Sequence, residues 1–183
     1  RALLAEHAVI TMAEVLIGLA LGAALGFVSA IALVASPTAR ALLRPILVFS
    51  QAVPVFALAP LLTLWFGYGI ESKIIMAVMI IYFPVASAYF DGLMKTPPGF
   101  LDLAQTMNAT QLRILFHIRC RSAMPSLGTG LRLAAVYARI GSVIGEWVGA
   151  SRGLGYLMLL ANGRVKTDLL FATVIVLAVL TVI

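Results

Sequence analysis

Long stretches of this chain carry no charge. No Asp, Glu, Lys or Arg lies between Glu14 and Arg40, a gap of 25 residues, or between Arg44 and Glu71, a gap of 26; a third gap of 17 separates Lys73 from Asp91. A bilayer core about 30 Å thick takes about 20 residues of helix at about 1.5 Å each. The first two runs exceed that length, and the third reaches it with its ends among headgroups. A fourth span is expected from Ser126 to Val148, and a fifth that begins near Asp168 and is cut at Ile183. The pattern predicts an all-α integral membrane protein with five spans.

Inside these runs the residues are not uniform. Gly18, Gly22 and Gly26 are spaced by four and put small residues on one stripe of the first span. Such stripes let helices approach closely. The second span, within SQAVPVFALAPLLTLWFGYG, contains Pro54 and Pro60. Each proline removes a backbone donor and clashes with the preceding turn. Irregular backbone at membrane depth is tolerated where it is buried in protein or lines a cavity. Gln51, Pro54, Phe56 and Pro60 are therefore candidates for a translocation pathway, with helix packing as the alternative role. Pro84 should bend the third span. The fourth span carries Arg132 near its start and Arg139 in its middle. A buried arginine must face protein, water or a headgroup. Arg139 is either a structural, snorkelling residue or a pathway residue.

Composition strengthens the membrane reading. The chain is 62% hydrophobic and 11% charged, with a mean hydropathy of +1.08; a typical soluble domain is about 25% charged. The net charge of +6 fits the excess of Lys and Arg that cytoplasmic loops carry. Arg40 and Arg44 fall in one such loop, and Lys95, Arg113, Arg119 and Arg121 in another two spans later. Both are expected in the cytoplasm. SRGLGYLMLLANGRVKT is then external, and its YLMLL core reads as a short helix on the membrane surface. The single Cys120 and the distant His7 and His117 form no metal-site spacing. No GxxxxGK[ST] phosphate loop occurs, and no base is well placed beside a serine. The residues themselves point to no enzyme and to no cofactor in this chain.

One long stretch is water-facing in character. DLAQTMNATQLRILFHIRCRSAMPSLGTGLR runs from Asp102 to Arg132. Pro97 and Pro98 end the preceding span. A short helix is expected over Leu101 to Met107, with Asn108 in a left-handed, helix-ending position. A second is expected over Gln111 to Arg119, with Leu112, Leu115 and Phe116 on one side and Arg113 and His117 on another. Two short helices gripped by spans at both ends form a docking element of the helix-in-groove type; a loop resting on headgroups is the alternative.

This stretch resembles the cytoplasmic EAA loop of ABC importer permeases, in the branch that serves nitrate, sulfonate, taurine and thiamine-precursor importers. There the frame reads like E-x-A-x-T-x-G-A-S, a basic amphipathic helix, then L-P-A-A-L-P. Here it reads DLAQTMNAT, QLRILFHIR, then CRSAMP. Ala104, Thr106, Ala109 and Pro125 match; Asp102 stands for Glu, Asn108 for Gly, and Cys120-Arg121 for Leu-Pro. QAVPVFALAPLLTLWFGYGIESK resembles the proline-broken helix of the branch, and EWVGASRGLGYLM its external loop. With YFPVASAYFDGL and LLANGRVKTDLLFA, the wording is most similar to hydroxymethylpyrimidine permeases.

The resemblance implies one type I importer transmembrane domain over residues 1–183, in a bacterial plasma (inner) membrane. It shows five spans of an expected six, with the first span and the C-terminal tail missing, as the starting RALLAEH and the closing VIVLAVLTVI also hint. It implies a coupling loop at 97–121, with Asp102, Ala104, Asn108, Leu112, Arg113, Leu115 and Phe116 meeting an ATPase. The implied partners are a second permease copy, two cytoplasmic ABC ATPases that hold the ATP and Mg, an extracytoplasmic substrate-binding protein, and membrane lipid; no nucleic acid is expected. Hydroxymethylpyrimidine is the expected substrate, with taurine, alkanesulfonate, nitrate or riboflavin as alternatives. An ion-coupled secondary transporter is the competing class, but it often carries inverted repeats and intramembrane carboxylates. No clear repeat is present, and Asp91 and Glu146 sit at span ends.

Overall fold

The computed structural model describes residues 2–182. Arg1 and Ile183, on which the readings of the two chain ends and of the last span partly rest, lie outside the described residues. In chain order the helices are α1 (Ala2–Ala35), α2 (Pro37–Ala52), α3 (Val55–Phe66), α4 (Ile70–Met94), α5 (Pro98–Thr106), α6 (Gln111–Arg113), a π-helical turn (Ile114–Arg119), α7 (Cys120–Ser122), α8 (Met124–Gly149), α9 (Leu154–Gly163) and α10 (Thr167–Val182). The all-α expectation holds across the described residues.

The expectation of five spans does not. Among the described residues, two helices are long and apolar enough to cross a membrane, α1 over Leu3–Ala35 and α4; a third is counted if α2 and α3, bent by 98°, make one broken span. The reasons are local. Pro54, at φ −62° and ψ 113°, caps α3 from outside the helix. It has no N–H to continue a ladder, and it biases Val53 away from helical geometry. The expected second span is thereby divided. The predicted fourth span lies within α8, whose 26 residues include five glycines with Arg132, Arg139 and Glu146. Its length suffices but its apolarity does not. In α10 the stretch Thr167–Leu180 is apolar but is counted among the shorter helices of 10–17 residues.

The chain divides into two compact units. The first comprises Arg1–Gly22, Val53–Ile81 and Ala135–Ile183. Part of its core gathers Ala59, Leu62 and Met76 with Ile75, Met79 and Ile144 against them. The close approach expected of the glycine stripe is present here: a Cβ on Gly18 would lie 2.7 Å from that of Ala77.

The second unit comprises Ala23–Ala52 and Tyr82–Ala134. Ala30, Tyr89, Leu93 and Ala123 form its core. The Phe27 and Tyr89 rings stack at 5.0 Å. A Cβ on Gly26 would meet the Tyr82 carbonyl oxygen at 2.6 Å, so only glycine fits. By contrast α2 buries none of its residues, and Leu42, Ile46, Val48 and Phe49 are exposed.

Candidate functional site

The segment between α4 and α8 belongs wholly to the second unit. Pro97 and Pro98 start α5, where the missing N–H of Pro98 would be unsatisfied in any case. Asn108 then has φ 54°, the left-handed conformation its residue type predicts. The Ala109 N–H bonds back to Ala104 at 3.0 Å, closing the turn. Thr110 begins the next helix, and its hydroxyl accepts from the Arg113 N–H at 3.4 Å. The expected single helix over Gln111 to Arg119 is instead a short α-helical start and a wide π turn, in which the Cys120 N–H reaches the Leu115 carbonyl. Such turns recur at functional sites.

The wide turn separates residues that sequence spacing placed on one side. Leu115 is 4% exposed, whereas Leu112 and Phe116 are exposed at 66% and 51%. Ala104 is buried; Asp102, Asn108 and Arg113 are exposed. Leu103, Met107 and Phe100 add an exposed apolar surface. A cavity of about 900 Å³ opens here, lined among others by Leu103, Ala104, Met107, Arg113 and His117. Ala104 and Arg113 therefore meet at one cavity. An apolar, open surface with a basic border can accept an amphipathic or acidic protein surface.

The candidate pathway residues are drawn from both units. In the second unit, exposed Gln51 lies 3.5 Å from the Ser50 hydroxyl, which in turn pairs with the Tyr82 hydroxyl. In the first unit, Pro54 precedes α3, Phe56 is 64% exposed, and Pro60 lies within α3. Thr63 bonds back to the carbonyls of Ala59 and Pro60 at 3.0 and 2.9 Å. Arg139 is half-buried and lines a very small cavity with Thr11, Met12 and Val15.

Sequence reasoning missed a buried polar network in the first unit. The Lys73 ammonium is 3.0 Å from Glu14 Oε1, and the Ser142 hydroxyl donates to Glu14 Oε2 at 3.2 Å. Nearby in the same unit, Thr11 donates to Glu146 Oε1 at 2.6 Å, and the Gly155 N–H donates to Glu146 Oε2. The Leu154 N–H reaches Thr11 at 2.8 Å, and the Gly153 N–H reaches His7 Nδ1 at 2.8 Å. All six side chains are buried. Three backbone donors at the start of α9 thus find partners on α1 and α8 rather than in water. A carboxylate at a helix N-terminus also complements the helix dipole. Gly153 has φ 113° and sits against the Glu146 carboxyl group, so a side chain would be excluded twice over. The available signal was that Glu14 and Lys73 each border a long charge-free run, and that Glu146 lies near the end of the expected fourth span.

Among the described residues, no group of three His, Cys, Asp or Glu side chains could hold a metal ion. The family model described as "Binding-protein-dependent transport system inner membrane component" matches residues 18–183. The chain is 54% identical over 175 residues to a "Probable ABC transporter permease protein" of Haemophilus influenzae, covering 96% of this chain and 71% of that one. It is 37% identical over 177 residues to a formylaminopyrimidine transport permease protein of Halalkalibacterium halodurans, covering 97% and 71%. Its fold is similar to a chain from an inward-facing structure of the MetNI methionine ABC transporter. The TM-score is 0.73 at 18% identity, over 94% of this chain and 85% of that one.

Proposed function

The chain belongs to the family of binding-protein-dependent transport system inner membrane components, and from that premise we propose that its substrate is a thiamine precursor of the aminopyrimidine class, such as hydroxymethylpyrimidine. At the coarser level it is a transmembrane permease subunit of a binding-protein-dependent ABC importer, integral to the bacterial inner membrane. It is a transport subunit.

The observation that carries the substrate reading is the 37% identity, across 97% of this chain, to a permease named for formylaminopyrimidine. Chemistry supports it. An aminopyrimidine is flat and uncharged, and asks for a stacking face and paired donors and acceptors. Phe56 exposes a ring, and an exposed Gln51 offers both donor and acceptor. A sulfonate would instead ask for a fixed cation; Arg139 is the candidate at depth, and it is only half-exposed beside apolar neighbours.

In the working transporter, two copies of this chain pair and a binding protein delivers substrate from outside. Two ATPases, holding ATP and Mg, grip the loop at 97–121 from the cytoplasm. Closure of the ATPases moves that loop, and the helices α4 and α8 that hold both its ends carry the motion into the membrane. Asp102, Asn108, Arg113 and Phe116 border the grip.

The test is uptake into proteoliposomes containing the permease, its ATPase and its binding protein. Labelled hydroxymethylpyrimidine should enter with ATP and saturate, while taurine should not. Uptake of taurine alone would reverse the substrate assignment. Gln51→Leu should reduce uptake several-fold with ATP hydrolysis little changed. Cysteine placed at Gln105 should react with impermeant reagent only from the ATPase side; labelling only from the other side would invert the orientation.

A further inference from the structure

Two arginines in the second unit cap the ends of different helices and face the same cavity. The Arg40 Nε donates to the Leu33 carbonyl at 2.9 Å, near the end of α1. The Arg119 Nη1 donates to the Leu93 carbonyl at 3.2 Å, near the end of α4. The last carbonyls of a helix lack intrahelical donors and carry the negative end of its dipole, so a cation there is held at modest cost. Arg40 is further fixed over the Phe90 ring, 5.6 Å from its centre. Each guanidinium has only one of its five donors engaged in this way.

Both side chains line a cavity of about 470 Å³ together with Gln111, Val34, Pro37 and Met94. That volume lies within the range of roughly 300–1,000 Å³ usual for small-ligand sites. Pro37 begins α2, so the positive end of that helix dipole borders the same space. No acidic residue lines it. The lining therefore suits an anionic group that also carries an apolar part. From this cavity α2 runs off with no buried residue, presenting Leu42, Ile46 and Phe49 outward.

We infer that this cavity binds the phosphate headgroup of an anionic phospholipid, whose acyl chains lie along α2. Basic pockets at the ends of membrane helices are suited to such headgroups. The site ties the ends of α1 and α4 to the π turn that carries Arg119, so bound lipid would brace the loop between α4 and α8. The inference is independent of which substrate is carried.

Native mass spectrometry of the assembled transporter tests it, with phosphatidylglycerol, phosphatidylcholine and inorganic phosphate as probes. Phosphatidylglycerol should bind in preference to phosphatidylcholine. The double variant Arg40→Gln/Arg119→Gln should lose that preference by roughly tenfold or more, whereas Arg164→Gln, an equal change of charge per residue at an exposed position outside this unit, should keep it. Because the double variant also uncaps two helices, Val34→Trp supplies a second route: it fills the cavity with both arginines intact and should likewise abolish the preference. Equal binding of the two lipids, retention in Val34→Trp, or equal loss in Arg164→Gln would overturn the site. Displacement of phosphatidylglycerol by inorganic phosphate alone would overturn the assignment to lipid.

Discussion

The buried network of the first unit and the loop between α4 and α8 in the second use polar residues in opposite ways. In the network, Glu14, Lys73, Thr11, Ser142, His7 and Glu146 are buried and hydrogen-bonded. In the loop, Asp102, Gln105, Asn108, Arg113 and His117 are exposed, beside exposed Leu103, Met107, Leu112 and Phe116. A buried polar group without a partner is costly, so the network can tolerate few changes. An exposed one is solvated until a partner arrives. The first arrangement fixes backbone; the second leaves surface available. The same contrast separates two ion pairs among the described residues of the first unit. Lys73–Glu14 is buried, but Arg152–Glu6, at 3.8 Å, has side chains 67% and 59% exposed, where pairs contribute at most about 1 kcal/mol.

The largest effect should come from breaking the buried pair. Lys73→Met leaves Glu14 buried without its cation, and should destabilise the protein by about 3–5 kcal/mol. The Ser142 hydroxyl alone cannot replace a charge. Thermal unfolding in detergent, followed by tryptophan fluorescence, would read the loss. Adding Glu14→Leu to Lys73→Met should recover much of it, since a buried pair replaced whole is often neutral. A single variant as stable as the wild type would show that water reaches this pair.

A smaller loss is expected at Thr11. Its hydroxyl accepts from the Leu154 N–H and donates to Glu146. Thr11→Val keeps the shape and removes both bonds, which should cost about 1–3 kcal/mol. Hydrogen exchange should rise first at Leu154 and Gly155, because they begin α9. Unchanged protection there would separate the start of α9 from the network.

What the sequence disclosed follows from the range of the interactions. Charge-free runs are local, so α1 and α4 could be read directly. The left-handed turn at Asn108 was legible for the same reason, from one residue type between two amphipathic segments. The bend between α2 and α3 was half legible: Pro54 and Pro60 announced an interruption, but not that Pro54 would end one helix while Pro60 stayed inside the next. The five-span reading failed in α8, where length and apolarity part company, and at Pro54, where the second expected span is divided. The network was not legible, because Glu14 pairs with a residue 59 positions away and Thr11 with one 135 away. The π turn was invisible to helical periodicity, and it buried Leu115 while leaving Leu112 exposed.

Asn108→Gly should act in the other direction. At φ 54° an asparagine pays a small steric cost that glycine avoids, although glycine gains entropy in the unfolded chain. The net change should be within about 1 kcal/mol, with uptake unchanged or faster. A marked loss of uptake at unchanged stability would mean that the Asn108 side chain itself contacts the ATPase.

The smallest effect on stability, with the largest consequence for transport, is expected at Phe116. It follows buried Leu115 directly but is half out in solvent. With half of its surface already in solvent, Phe116→Asp should change unfolding by no more than about 1 kcal/mol. Against a partner the balance differs: an aromatic anchor contributes apolar contact, and a carboxylate in its place would be desolvated without a cation of its own. Uptake should therefore fall by an order of magnitude or more, and less ATPase should co-purify with the permease. Leu115→Asp provides the contrast. It strikes a buried position and should damage folding and transport together. If Phe116→Asp left both uptake and co-purification intact, the exposed apolar surface of this loop would not be the part that the ATPase holds.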